Sequence, residues 1–464
     1  MIRRITSAIA AITLTICVGS AAATSARSEG LSLIRDSEIE NIIRAYTAPL
    51  FQTAGLDASA VNVHLINDKR LNAFVAGGLN LFVNSGLLME SGSPGEIVGV
   101  LAHETGHLAG GHLARTRNAM RNASAETILA YVLGAVAAVA GQGDAAAAIV
   151  LGGNVAAQNS IIRYSQAQEQ AADHAALRYL DNTGQSSRGL LDMFYRLEDQ
   201  ELLIPERQDP YARSHPLTRE RISTVAHHVE TSRYADVTVS DDDVLAHQRM
   251  TAKLRAFLTP PAKVLASIDP SDTTIPARYA RAIALYRIPE TSRAIDALDG
   301  LIDDFPADPW FHELKGQVLF ESGQISDAIA PYRRAAELQP AAALLRLGLA
   351  RALIETGEKS QLGEAITHLE TASRLESAYA PHWYFLGIAY GHDEQFARAD
   401  LAFAEAAALR GQKDKAAHHA RRALKGLPDG SPASMHASDI LNAVEGSPPG
   451  SSDEYGAQTP LTAR

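Results

Sequence analysis

One cysteine, Cys17, is the whole thiol content of this 464-residue chain. A lone cysteine forms no internal disulfide, and it excludes a zinc site built from thiolates. Aromatic residues are also scarce, at 6% with two tryptophans, while alanine is abundant. That balance favours close-packed helices over sheet. Positive charge is in deficit: 42 Lys and Arg against 53 Asp and Glu leave a net charge of −11. An acidic chain gives no support for nucleic-acid binding. No uninterrupted apolar run reaches the ~20 residues that a helix needs to cross a bilayer.

What is present is the composition of a folded protein, 46% hydrophobic and 20% charged. The length exceeds one ordinary core, so two domains are expected. Residues 1–26 read as a secretory signal peptide, with Arg3 and Arg4 before an apolar Ile5–Val18 and small-residue cleavage sites around Ala23 to Ala26. An uncleaved anchor is the alternative. Residues 127–157 are almost uncharged, but Gly141-Gln142-Gly143-Asp144 cuts them into pieces shorter than a span. Two helices that cover a site or touch a membrane surface are expected there, with a transmembrane hairpin as the competing reading.

The first structural region opens with helical spacing over Ser37 to Phe51 and continues with a strand at Val61, Val63 and Leu65. Two further strands flank Gly77-Gly78, where a tight hairpin needs positive φ. A small antiparallel sheet is therefore expected. Next, Ser93-Pro94-Gly95-Glu96 fits a helix start, with Ser93 as N-cap, Pro94 at the first helical position and Glu96 reaching back.

That helix carries His103-Glu104-Thr105-Gly106-His107, the HExxH pattern. Residues i and i+4 share a face, so both imidazoles can hold one zinc, with Glu104 beside it as general base. His112 does not fit a third ligand of the HExxHxxGxxH type, which requires histidine where Leu113 stands. On a continuing helix it lies about 140° around the axis from His107. The reading is a helix that runs through Gly110-Gly111 to about Arg117, with His112 a surface or packing histidine. Farther on, Glu169 and Asp173 are spaced i, i+4 in a helical stretch. Glu169 can complete a His-His-Glu set, and Asp173 can accept the free N–H of a ligating histidine. An exposed helix glutamate is the bland alternative for Glu169.

From Pro276 the texture becomes a repeat. Trp383, Leu386, Gly387, Tyr390, Ala399, Phe403 and Ala406 match tetratricopeptide spacing, as do Gly316, Ala328, Tyr332, Ala335 and Pro340. A weaker unit uses Ala282, Ala294, Leu298, Leu301 and Pro306. Another, with Gly348, Ala365, Leu369 and Ala372, fits if about five residues are inserted around Lys359.

HExxH, then Glu169-Gln170-Ala171-Ala172-Asp173, then Ser214-His215-Pro216-Leu217-Thr218-Arg219-Glu220-Arg221-Ile222, resembles the gluzincin family of CAAX prenyl proteases and bacterial heat-shock membrane proteases. The segment Asn72–Leu88 resembles that family's sheet region. Within the family, a secretory signal joined to C-terminal repeats is similar to periplasmic members that act in outer-membrane assembly. The resemblance implies zinc ligands at His103, His107 and Glu169, one zinc per chain, and a general base at Glu104. It gives Asp173 as a proton donor, although its spacing suits an orienting role equally well. It makes His215 a regulatory fourth zinc ligand and Arg221 an active-site support. It also implies unfolded or misassembled proteins as substrates, and the outer-membrane β-barrel assembly machinery as a partner of the repeats.

The expected fold is thus mainly α: a zincin-like α+β metallopeptidase domain with a small antiparallel sheet, followed by an α-solenoid of tetratricopeptide repeats. The divisions are a peptidase domain over 27–256, a linker over 257–275, repeats over 276–430, and a segment 431–464 ending in a disordered tail. Two functions compete. One is a periplasmic zinc endopeptidase that binds substrate along an edge strand near Leu79 to Val83. The other is a chaperone or adaptor that acts through the repeats with a largely latent protease.

Overall fold

The computed structural model describes residues 32–112, 115, 165–198, 211 and 215–446. The signal-peptide region, most of the 127–157 segment's surroundings with the segment itself, and the final tail lie outside the described residues.

The N-terminal region packs helices on one face of a four-stranded sheet. Strand β1 (Leu33–Ile34) precedes α1 (Ser37–Thr53), and β2 (Asn62–Ile66), β3 (Ala73–Ala76) and β4 (Asn80–Asn84) follow. Alternation puts Leu65, Leu81 and Val83 in the core. The β3–β4 hairpin turns at Gly77 and Gly78, both at positive φ. The strand order is β1-β2-β4-β3, and β2 pairs with β4 in parallel. The sheet is therefore mixed, not antiparallel as expected. Its hairpin docks through β4, which makes β4 an interior strand. The expected substrate edge at Leu79 to Val83 is thus closed on both sides, and β3 is the rim.

Short helix α2 (Ser85–Glu90) leads into α3 (Pro94–Gly110). The start of α3 follows the sequence reading: the Ser93 hydroxyl accepts from the Glu96 N–H, and the Glu96 carboxylate turns back to the Gly92 N–H at 3.0 Å. Its end does not. Gly111 adopts left-handed φ 62 and caps the helix at Gly110, so the expected continuation to Arg117 fails at the glycine pair. Helix α4 spans residues 165–182, followed by α5 (Arg188–Glu198), α6 (Arg219–Thr231) and α7 (Asp241–Leu258). One apolar core, including Ile43, Leu81, Leu101, Ala176, Leu190 and Phe194, joins these helices to the sheet.

The stretch read as a linker contains the end of α7 and a helix of its own, α8 (Pro261–Ser267). Helical pairs follow: α9 (Ile275–Arg287) with α10 (Thr291–Asp304), α11 (Pro309–Glu321) with α12 (Ile325–Leu338), and α13 (Ala343–Glu355) with α14 (Lys359–Leu375). Then come α15 (Ala380–His392) with α16 (Phe396–Leu409), and α17 (Lys413–Leu424) with α18 (Pro432–Glu445). The repeat glycines have a visible reason. A Cβ on Gly316 would sit 2.7 Å from the Tyr332 ring, and one on Gly348 would sit 2.9 Å from Cε1 of the same ring. Tyr332 is wedged between successive pairs, as Phe403 is against Gly387. The insertion near Lys359 is taken up in α14, 17 residues long where α12 and α16 have 14. Among the described residues, no helix is long and apolar enough to cross a membrane.

Candidate metal centre

Helix α3 delivers His103, Glu104 and His107, all buried, to the face that meets α4. The helices approach closely because Gly106 has no side chain: a Cβ there would meet the Ala172 carbonyl oxygen at 2.8 Å. That contact brings Glu169 and Asp173 under the two histidines. His215 enters from the segment before α6. Arg221 enters from the first turn of α6, where Thr218 caps the helix by accepting from the Arg221 N–H.

Four donor atoms converge. His103 Nε2 and His107 Nε2 are 3.0 Å apart, and His103 Nε2 is 3.3 Å from His215 Nδ1. Glu169 Oε2 lies 3.2 Å from His103 Nε2 and 3.1 Å from His215 Nδ1, and its Oε1 lies 3.3 Å from His107 Nε2. A tetrahedral ion with bonds of about 2.0–2.1 Å spaces its donors about 3.3 Å apart, so these separations suit one small ion. The donors also explain why an ion belongs there. The His103 Nδ1–H donates to Asp173 at 2.8 Å, so the Nε2 of a neutral His103 offers only a lone pair. Lone pairs facing a carboxylate in a buried space need a cation between them.

The surroundings hold this geometry. Arg221 grips both Asp173 oxygens, at 2.6 and 2.8 Å. It also reaches Glu169 at 3.1 Å and the carbonyls of His215 and Pro216. Burial alone would raise the Asp173 carboxyl, but Arg221 and His103 overcome it and hold Asp173 below its ordinary range. Both Asp173 oxygens are thus engaged, by Arg221 and by His103. Burial likewise opposes the charge on Glu169, yet His215, His103 and His107 hold its carboxyl well below the ordinary range. Burial depresses His103 too, but Asp173 and Glu169 outweigh it and push this imidazole up to about 9. His107 falls to about 3, through burial and then the charge of His103. Glu104 is fully buried and neither carboxylate oxygen makes a hydrogen bond; His215 Nε2 stands 3.4 Å from Oε1. Burial raises its carboxyl, the direction a proton acceptor near neutrality requires.

Every residue singled out in the sequence is therefore in one place: His103, Glu104, His107, Glu169, Asp173, His215 and Arg221. Two neighbours were missed. Tyr211 is buried with its ring 4.6 Å from that of His215, and its carbonyl accepts the His215 N–H at 2.8 Å across an i, i+4 turn. His112, read as turned away, is buried with Nδ1 at 3.0 Å from His107 Nδ1. The signal for it was the glycine pair, which stops the helix instead of letting it run on.

With this geometry in place, comparison with known proteins is informative. The profile of peptidase family M48 matches residues 34–229. The β-barrel assembly-enhancing protease of Yersinia pestis is 26% identical over 326 residues, 70% of this chain and 67% of that protein. Its Escherichia coli K12 namesake is 24% identical over 389 residues, covering 83% and 78%. The metalloprotease LoiP of E. coli K12 is 28% identical over 181 residues, 39% of this chain and 66% of that protein. Among solved structures, YrrB, a tetratricopeptide protein, covers 38% of this chain and 91% of its own at 18% identity and TM-score 0.32. MamA from Desulfovibrio magneticus RS-1 covers 37% and 96% at 20% identity and TM-score 0.29. The chain is a metallopeptidase, and its residues 34–229 match the profile of peptidase family M48.

Proposed function

We propose that this chain is a periplasmic zinc endopeptidase that degrades misfolded or misassembled envelope and outer-membrane proteins. What carries the reading is the convergence of His103, His107, Glu169 and His215 beside the buried, unbonded carboxylate of Glu104. His103, His107 and Glu169 are the proposed fixed ligands of one zinc. Zinc, when bound, supplies a Lewis acid for water and for the scissile carbonyl. Glu104 takes the proton from the attacking water and passes it to the leaving amine. Asp173 is a positioning residue that fixes the His103 tautomer, and Arg221 locks Asp173 and Glu169 together.

Substrate range and place of action rest on the relatives named β-barrel assembly-enhancing proteases. The repeats are the proposed surface for unfolded substrates and for the outer-membrane β-barrel assembly machinery. Residues 127–157 are the proposed peripheral membrane contact.

Glu104→Gln tests the peptidase reading. It is expected to retain zinc and lose cleavage of an unfolded outer-membrane protein by about three orders of magnitude or more, because among the described residues Glu104 is the carboxylate at the site with both oxygens unbonded. Undiminished cleavage by this variant would sink it.

One observation favours the adaptor reading at rest. His215 Nδ1 occupies the fourth corner of the donor set, where water has to stand for hydrolysis. The resting enzyme is therefore proposed to be latent. His215→Ala is expected to raise turnover with zinc content unchanged, both measured on one preparation. An inactive, zinc-replete His215→Ala would instead make His215 a contributor to the transition state.

A further inference from the structure

The glycine pair after the second metal-site histidine builds a fold-back. Helix α3 stops at Gly110, Gly111 turns the chain at φ 62, and the next side chain returns to the face that carries His107. His112 Nδ1 lies 3.0 Å from His107 Nδ1, with the rings edge to face at 85°. Room for the imidazole exists because residue 110 is glycine: a Cβ there would stand 2.4 Å from His112 Nε2. The backbone is tied down as well, since Gln168 on α4 donates its side-chain N–H to the His112 carbonyl at 3.3 Å.

The chemistry at His107 gives this contact a direction. Its Nε2 faces His103 Nε2 and Glu169, so a ligating His107 keeps its one proton on Nδ1. That N–H points at His112 Nδ1, which must then be the acceptor. His103 has Asp173 for the same purpose. We propose that His112 is the matching positioning residue for His107, a neutral hydrogen-bond acceptor that fixes its tautomer and ring plane for the metal. The proposal rests on the zinc reading above and adds to it a residue outside the ligand set.

Three variants of the full-length protein decide it, read by the rate at which a chelator strips zinc. His112→Leu removes the acceptor and is expected to speed release about tenfold or more. His112→Asn places a carbonyl oxygen near the position of Nδ1 and is expected to stay close to wild type. Gly110→Ala leaves every polar group in place but drives the ring away, and it too is expected to release zinc faster. General destabilisation does not account for that last result, because alanine favours the helix over glycine by about 1 kcal/mol. Thermal melts of the metal-free proteins are measured alongside, and little change is expected. Wild-type release in His112→Leu, or in Gly110→Ala, would overturn the proposal. So would equally fast release by His112→Leu and His112→Asn, or a metal-free melt lowered as much as the zinc-loaded one. A wild-type protein that takes up no zinc would instead overturn the zinc reading on which this rests.

Discussion

At the scale of single residues, the metal site is an exercise in deciding where protons sit. His103 and His107 share a helix face yet are driven in opposite directions, to about 9 and about 3. Both are buried, and burial disfavours the charged form of each. His103 escapes because Asp173 and Glu169 lie against it, whereas His107 faces the charge that His103 then carries. At pH 7 the metal-free site therefore holds a proton on His103 and none on His107. A metal binding at Nε2 must displace that proton. Zinc uptake is expected to release at least one proton per chain at pH 7, and affinity is expected to fall about tenfold per pH unit below pH 9. Calorimetry in buffers of differing ionisation enthalpy measures the release; uptake with no proton release would contradict the His103 assignment. Arg221→Lys belongs with it. Lysine offers one point of contact where the guanidinium makes two to Asp173 and a third to Glu169. This variant is expected to hold zinc more weakly than wild type while remaining folded.

At the scale of elements, the site depends on how closely α3 can lie against its neighbours. Two of its glycines are the contact points. A Cβ on Gly99 would meet the Leu190 backbone of α5 at 2.7 Å, and one on Gly106 would meet the Ala172 carbonyl of α4 at 2.8 Å. Gly106 lies inside HExxH itself, so Gly106→Ala changes neither ligand nor base. It is expected to cost about 1–3 kcal/mol as α4 is pushed outward, and to weaken zinc binding because Glu169 rides on α4. A melt and a zinc titration check both; an unchanged zinc affinity would show that α4 tolerates the shift. These elements also mark what the sequence discloses. His103, Glu104 and His107, and then Glu169 and Asp173, are legible because i, i+4 spacing is a property of one helix. The N-terminus of α3 is legible for the same reason. The parallel pairing of β2 with β4 is not, since a hairpin fixes only the β3–β4 partnership and leaves open which edge accepts β2. His112 fell between the two cases. Its position followed from a local rule for glycine at helix ends, but the small-residue run looked helical throughout. Tyr211 stands four residues before His215 and its carbonyl accepts the His215 N–H at 2.8 Å, so its signal was the same i, i+4 spacing, left unused because no helical pattern was read into His215.

At the scale of the whole molecule, the peptidase region and the repeats are joined by buried charge as well as by apolar packing. Lys253 on α7 lies 2.7 Å from Asp36 and 3.2 Å from Glu38, both at the start of α1, and 3.8 Å from Glu313 on α11. Arg249 bridges Glu38 at 2.8 Å and Asp308, at the cap of α11. The Tyr279 hydroxyl of α9 donates to Glu38 at 3.0 Å. Four carboxylates thus surround two cations, and the acids are in excess. Glu313 is the least satisfied of them: its Oε2 is buried without a hydrogen bond, and burial pushes its carboxyl up from 4.5. Lys253 pulls the other way, but Asp36 and Glu38 add to the rise. The consequence for stability has a definite sign. The unfolded chain ionises Glu313 near its ordinary value, whereas the folded chain still holds the proton there. Above that value the folded state binds more protons than the unfolded state, so stability falls as pH rises. Glu313→Gln keeps the shape and removes the titration. It is expected to melt at the same temperature as wild type near pH 4.5 and higher at pH 8, with zinc content and peptidase activity unchanged. Matching melting curves across that range would mean that solvent reaches Glu313 and that the junction holds its charges without strain. The expected divergence would instead show the repeats fixed to α1 and α7 through an acid that stays protonated. In that case the repeats and the metal site are held across a rigid joint.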